Sequence, residues 1–215
     1  MKVIGNRLAF GIKSLTSLAF VISSSAFATS KPAHVLIESI LVKGSGCPSE
    51  DTVAVNISDD KEAFTLTFSD FQAESGPGFT LSEGRKNCVL TLNLDIPSGW
   101  QFSIASFYYR GFMTLDKGTR ATHTTSYSFE GQGTTGVFSA SNNGPHTEDY
   151  VYADKIGIAS AVWSPCTTDR ALNINTSIRV YNTNKPKYPE SQGYIANDSI
   201  DGTIKQIWGI SWRKC

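Results

Sequence analysis

Apolar and polar residues alternate with a period of two along most of the chain, which is the spacing of a β-strand with one buried face. In residues 83–100, EGRKNCVLTLNLDIPSGW, the side chains of Leu90, Leu92 and Leu94 fall on one side and polar side chains on the other. Cys88 shares the phase of these leucines, so its side chain is expected to point into the core. An inward cysteine favours a buried disulfide over an exposed reactive thiol.

The same alternation predicts further strands. Residues 53–57 and 63–68 flank the polar stretch SDDK and predict a β-hairpin. Residues 172–180, LNINTSIRV, have the clearest strand pattern in the chain. Each of these segments carries an apolar face that needs a partner layer.

A longer extended segment is predicted at residues 100–115, WQFSIASFYYRGFMTL. Strict alternation places Phe102 and Ile104 on one face of this segment and Phe107 and Tyr109 on the other. The segment therefore predicts a strand with apolar side chains on both faces.

No segment of 11 or more residues after the first 28 has a helical period, and turn residues separate many short strands. This pattern is typical of an all-β fold, and we expect an antiparallel β-sandwich, with a small closed β-barrel as the alternative. With no internal repeat and no linker, residues 29–215 are expected to form a single domain.

Four cysteines follow the N-terminal segment: Cys47, Cys88, Cys166 and Cys215. Their even number predicts disulfides in an oxidising compartment, and the absence of a C-x-x-C pair argues against a zinc or redox centre. Pairing Cys47 with Cys88 and Cys166 with Cys215 is favoured because each bond closes one half of the chain. The nested pairing of Cys47 with Cys215 stays open.

Residues 1–28 have the features of an export signal. Lys2 and Arg7 give a positive start, an apolar stretch follows at 15–22, and Ala26–Ala28 form a small-x-small cleavage site. The apolar stretch is too short to span a bilayer of about 30 Å. The mature protein is therefore expected outside the cytoplasm, in the extracellular space or the periplasm.

The charge of the chain is balanced, with 19 cationic and 19 acidic residues. Removal of the export signal would leave 16 cations against the same acids, and such a balance gives no electrostatic footprint for nucleic acid. We expect no transmembrane segment in the mature chain, since no later stretch approaches 18 consecutive apolar residues. Nothing in the sequence requires a metal or a cofactor.

Several motifs resemble a known family, in the same order along nearly the whole mature chain. They are GSGCP (44–48), RKNC (85–88), QFSIASFYYRG (101–111), VWSPC (162–166), LNINTSIRV (172–180) and the terminal WRKC. The family comprises small secreted proteins of bacteria and fungi and is catalogued as domain of unknown function 4360. The resemblance implies secretion and a single domain, and it lends no activity, ligand or catalytic residue.

The most site-like stretch is HTEDYVYAD, residues 146–154, because it combines a histidine, acids and tyrosines. The candidate ligand-binding residues in it are His146, Glu148, Asp149, Tyr150 and Tyr152. Tyr150 and Tyr152 are two residues apart and share one strand face, with Glu148 in phase and His146 behind it. Such a face can hold a sugar or a calcium ion, and the carboxylates of this stretch can serve glycoside hydrolysis. The alternative is an exposed loop that enters an edge strand, with its acids solvated.

Trp208 and Trp212 are a second candidate ligand-binding feature, because an indole face stacks on a sugar ring. Both share a strand face with Ile204 and Ile210, which favours a position in the core. The strand is expected to follow a hairpin turn at Asp201-Gly202.

Hydrolytic signature motifs are absent from the sequence. The leading hypothesis is therefore a non-enzymatic secreted binding or interaction protein, with an extracellular polysaccharide or an envelope component as its partner. The alternative is a secreted hydrolase with a carboxylate site around residues 146–154. A weaker alternative is a membrane-inserting toxin, based on the Ser/Thr/Gly-rich alternation of residues 119–143.

Overall fold

A computed structural model describes residues 31–133, 135–156, 160–166, 171–197 and 206–215. The export signal predicted at residues 1–28 and the turn predicted at Asp201-Gly202 lie outside the described residues. The strands are β1 (Leu36–Lys43), β2 (Val53–Ile57), β3 (Ala63–Phe68), β4 (Gln72–Ser75), β5 (Arg85–Asp95), β6 (Trp100–Leu115), β7 (Thr119–Phe129), β8 (Gly136–Asn143), β9 (His146–Lys155), β10 (Leu172–Asn182), β11 (Gly193–Ala196) and β12 (Gln206–Lys214). A 3₁₀ turn at Glu50–Thr52 precedes β2.

These strands form two antiparallel sheets that face each other across one core. The first sheet has the order β1-β5-β10-β7-β8. The second has the order β2-β3-β12-β6-β11-β4, and β9 pairs with β6. The fold is the predicted antiparallel sandwich, and the two sheets do not close into the barrel that was its alternative.

The alternation of the sequence is visible in strands of both sheets. In β5, Cys88, Leu90 and Leu92 are buried, as expected from their shared phase. The predicted hairpin of residues 53–57 and 63–68 is present as the antiparallel pair β2–β3. Local patterns therefore determined which side chains enter the core.

The face assignment predicted for β6 is wrong at one point. Phe102 and Ile104 share the buried face with Phe107 and Tyr109, instead of opposing them. Along β12 the pairing register shifts, so that Ala105 is an extra residue in β6 with no partner there. Such a β-bulge reverses the phase of the strand, so that the apolar residues on both sides of it point inward.

Two disulfide bonds connect Cys47 to Cys88 and Cys166 to Cys215, which confirms the favoured pairing and excludes the nested one. Cys47 and Cys88 have no exposed surface. Their bond joins the segment after β1 to the beginning of β5. The second bond joins the segment after β9 to the C-terminus.

Candidate functional site

Strand β9 places the predicted site residues on two different faces. It is an edge strand that pairs with β6, opposite the edge strand β8 of the other sheet. His146, Glu148, Tyr150 and Tyr152 alternate along the face directed at the first sheet, while Asp149 lies on the outer face. Glu148 and Asp149 therefore do not converge on one point, as a pair of glycosidase carboxylates must.

Contacts between β9 and β8 bring part of this set together. His146 Nε2 lies 3.3 Å from Glu148 Oε1 and 3.5 Å from Asn142 Nδ2. The hydroxyl of Tyr152 donates a hydrogen bond to Asn142 Oδ1 at 2.5 Å. The side chain of Glu148 is 67% exposed, so this cluster reaches the surface between the edge strands β8 and β9.

The two tyrosines of β9 are held in the neutral form. Burial, with smaller effects of the neighbouring Tyr152 and Tyr194, raises the pKa of Tyr150 well above its usual value. Burial raises the pKa of Tyr152 to about 12. The Tyr150 ring covers Gly111 of β6, where an added Cβ would lie 2.7 Å from the phenol. Tyr150 is therefore mainly a packing residue, and Tyr152 a hydrogen-bond donor.

The tryptophans of β12 are less available to a ligand than the stacking hypothesis requires. Trp208 has no exposed surface; its ring stacks on Phe64 at 5.5 Å and meets Phe107 edge-on at 4.7 Å. Trp212 is partly buried, and its Nε1 donates to the carbonyl of Lys61 at 2.7 Å. Trp208 belongs to the core, which is the alternative that its apolar neighbours favoured.

A cavity opens at one end of the sandwich. It was not predicted from the sequence. It lies between the β4–β5 loop, residues 76–84, and the β10–β11 loop, residues 183–192, and has a volume of about 280 Å³. We call it the end groove. Its lining consists of Ser75, Gly76, Phe79, Thr80, Leu81, Gly84, Arg179, Val180, Tyr181, Asn182, Lys185, Pro189 and Ser191. A second cavity of about 180 Å³ adjoins it and shares Ser75 and Phe79.

Hydrogen bonds shape the β4–β5 wall of the end groove. Gly76 and Gly78 have positive φ angles, a conformation that glycine adopts without strain. Thr80 donates its backbone N–H to Glu83 Oε2 at 2.6 Å, and the Val180 N–H donates to the carbonyl of Gly84 at 2.9 Å. These bonds close the loop and attach it to β10, so that Phe79 projects at a defined place.

The opposite wall is organised by asparagine side chains and by the β6–β7 turn. Asn182 donates its amide to the carbonyl of Tyr188 at 2.6 Å and accepts the backbone N–H of Asn184 at 2.9 Å. The Asp116 carboxylate accepts the backbone N–H of Gln192 at 2.8 Å. The wall is therefore held at both ends, which makes the end groove a preformed site.

Aromatic and cationic side chains meet inside the end groove. Phe79 is 39% exposed, Tyr181 is half-buried, and the Arg179 guanidinium carbon lies 4.5 Å from the centre of the Tyr181 ring. None of the lining residues is an Asp, Glu, His or Cys. The end groove therefore offers surfaces for stacking and hydrogen bonding, and no carboxylate, imidazole or thiol is among its lining side chains.

Behind β9, the core contains a histidine that does not reach the surface. His123 has no exposed surface, and its Nε2 lies 2.9 Å from Thr176 Oγ1. Burial lowers the pKa of His123 to about 3, so the imidazole is neutral at physiological pH. Among the described residues, His123 Nδ1 has no hydrogen-bond partner.

In the described part of the chain, no three His, Cys, Asp or Glu side chains are grouped as a metal site requires. The same residues include no helix that is long and apolar enough to cross a membrane.

The two disulfides and the two-layer fold define a secreted, disulfide-linked β-sandwich protein. The chain belongs to the family described as domain of unknown function (DUF4360), whose model matches residues 33–215. A relative from Arthroderma benhamiae is 40% identical over 184 residues, which are 86% of this chain and 73% of the relative. That relative is described as an uncharacterized secreted protein.

Two solved structures show only a remote likeness. TmCBM61, whose structure contains β-1,4-galactotriose, has 10% identity and a TM-score of 0.26, with 83% of this chain and 90% of that chain covered. The enzymatically active domain of bacteriophage CBA120 tailspike protein 4 has 16% identity and the same TM-score, with 82% of this chain and 20% of that chain covered. At this TM-score the likeness carries no argument about function.

Proposed function

We propose that this secreted protein is a non-enzymatic binding protein that holds an extracellular glycan in the end groove. The observation that carries the proposal is the exposure of Phe79 and Tyr181 in a cavity whose two walls are fixed by hydrogen bonds. An aromatic ring face binds the apolar face of a sugar by dispersion, while polar neighbours bind the hydroxyl groups. A partly exposed aromatic side chain in a fixed loop otherwise adds little to the stability of the fold.

The chemistry of the lining supports binding rather than hydrolysis. Glycosidases use a pair of carboxyl groups on either side of the scissile bond. The end groove has no acidic lining residue. Asn182, Ser191 and Thr80 form hydrogen bonds within the walls and keep acceptor capacity for sugar hydroxyls. A sugar bound there would meet no catalytic pair.

The test is a binding screen of the oxidised, secreted protein on a glycan array and on insoluble chitin, cellulose and peptidoglycan. Phe79→Ala and Tyr181→Ala are each expected to weaken binding about tenfold, the equivalent of one lost ring contact. Tyr108→Ala is the matched control, since Tyr108 is also 39% exposed but lies on the outer face of the second sheet. Retention of no glycan, or equal losses in all three variants, would contradict the proposal.

The carboxylate site on β9 remains a second prediction, supported by the contact of His146 with Glu148. It is tested by replacing Glu148 and Asp149 with the matching amides in the same screen and in a hydrolase substrate screen. Loss of a measured activity in Glu148→Gln alone would assign a role to the inward face of β9. Unchanged binding and no hydrolysis in either variant would remove this site.

The toxin hypothesis has less support from the fold. Residues 119–143 correspond largely to β7 and β8, and β7 pairs with β10 over its whole length. Insertion of this hairpin into a membrane would first require β7 to separate from β10. Release of dye from liposomes at low protein concentration is the measurement that would revive this hypothesis.

A further inference from the structure

Cationic side chains gather at the mouth of the end groove. Arg179 and Lys185 belong to its lining, and Arg85 lies directly opposite Arg179 in the pairing of β5 with β10. Residues that face each other in an antiparallel pair project from the same face of the sheet. All three side chains are exposed, so they present a local positive surface.

This arrangement is unfavourable for the sheet, and among the described residues no acidic side chain is paired with it. Two like charges directly opposite each other are unfavourable. In the described part of the chain, neither Arg85, Arg179 nor Lys185 forms an ion pair. Glu83, an acid of the adjoining loop, is directed at Thr80, whose backbone N–H and hydroxyl both donate to Oε2.

Arg179 is also oriented by its neighbour. Its guanidinium stacks on the Tyr181 ring, which leaves the N–H groups at its edge for other partners. A guanidinium held in this way can bind a carboxylate or a sulfate with two parallel hydrogen bonds. The positive surface is local, since the whole chain has no net charge.

We infer that the end groove selects an acidic polysaccharide, one whose sugars carry carboxylate or sulfate groups. A sugar ring packs against Phe79 and against the stacked pair of Tyr181 and Arg179, and its acidic group lies between Arg179 and Arg85. This inference rests on the proposed function and adds the charge of the ligand to it. The acidic group relieves the repulsion between the two arginines, so its binding is coupled to this unfavourable cross-strand pair.

Affinity electrophoresis of the oxidised protein in gels with polyuronate, sulfated or neutral polysaccharide tests the inference. Polyuronate or sulfated polymer is expected to retard the protein more than the neutral one, with less retardation as salt rises. Arg179→Gln and Arg85→Gln are each expected to weaken acidic binding about tenfold. Arg110→Gln is the matched control, because Arg110 is exposed on the outer face of the second sheet. Comparison of the polyuronate gel with the sulfated gel shows whether the protein prefers a carboxylate or a sulfate group.

The outcomes separate the two proposals. Equal binding of neutral and acidic polymers, with losses in Phe79→Ala but none in Arg179→Gln, would overturn the inference and leave the proposed function standing. No binding to any polymer would overturn both. Equal losses in Arg110→Gln and Arg179→Gln would show general charge attraction and also overturn the inference. Independently, Arg85→Gln is expected to raise Tm by about 1–3 °C through relief of repulsion, and a fall in Tm would contradict this account.

Discussion

Acidification is expected to destabilise the fold through His123. Its imidazole is buried in the middle of the first sheet, 4.4 Å from the ring of Tyr109 and next to Thr125 and Thr176. The folded protein cannot solvate a charge there, which is why the pKa falls from 6.5 to about 3. The unfolded chain has no such restriction and binds a proton near pH 6.5.

The sign and size of the effect follow from this difference. Between pH 6.5 and pH 3 the unfolded state binds a proton that the folded state does not, so the free energy of unfolding falls as the pH falls. From pH 7 to pH 4.5 the loss attributable to His123 is about 2.5 kcal/mol, at about 1.36 kcal/mol per pH unit below the unfolded pKa. Above the pKa of His123 in the unfolded chain, this contribution to the free energy of unfolding is fully present. It is a large fraction of the roughly 5–15 kcal/mol of a typical domain.

The assay is urea unfolding followed by tryptophan fluorescence at pH 7 and pH 4.5, with the disulfides intact. His123→Gln, which keeps a hydrogen-bonding group near Thr176, is expected to lose about 2.5 kcal/mol less on acidification than the unsubstituted protein. Carboxylates titrate in both proteins and cancel in this comparison, and His34→Gln controls for replacement of an exposed histidine. Equal losses in the unsubstituted protein and in His123→Gln would refute the reasoning. If His123→Gln does not fold, the unsubstituted protein is titrated by NMR. A chemical shift of a His123 ring proton that titrates near pH 6.5 would also refute the reasoning.

Two further predictions concern the framework around the proposed sites. Gly111→Ala should lower the free energy of unfolding by about 1–3 kcal/mol, because the added Cβ would collide with the Tyr150 ring and the Ala196 carbonyl. Denaturant unfolding measures this loss, and a value below about 0.5 kcal/mol would contradict the packing described. Replacing Cys47 and Cys88 together by alanine should cost about 4 kcal/mol in the chain-entropy model, since the bond spans 41 residues. Thermal and urea unfolding should agree, and unchanged stability would show that the bond does not constrain the unfolded chain.

Much of the fold was predictable because a strand determines locally which face each side chain occupies. Cys88 shares its phase with buried leucines in the sequence and in the structure, and the favoured bond to Cys47 is confirmed. The prediction failed in β6, where the bulge at Ala105 turns Phe107 and Tyr109 inward. In the sequence the bulge appears only as a change of phase between Ile104 and Phe107, which equally fits a strand with two apolar faces. Only the pairing with β12 distinguishes the two.

The predicted site on β9 was likewise predictable from the sequence only in part. His146 and Glu148 were placed on one face from their spacing, and the structure brings Asn142 of β8 to them. Asp149 was grouped with them because it is adjacent in the sequence, yet adjacent residues of a strand point in opposite directions. Trp208 looked equally suited to a ligand or to the core, and only the packing of Phe64 and Phe107 against it decided between them.

The sequence by itself determined the β class of the protein, the inward phase of strands without a bulge, the presence of disulfides and the secreted character. These are properties of short segments, where alternation, turn residues and cysteine number act without reference to distant parts of the chain. Only the tertiary structure decided that Phe79 and Tyr181, about a hundred residues apart, line one groove. The pairing of β5 with β10 also placed Arg85 against Arg179. Strand order and loop closure depend on the packing of both sheets as a whole, and no local pattern encodes them.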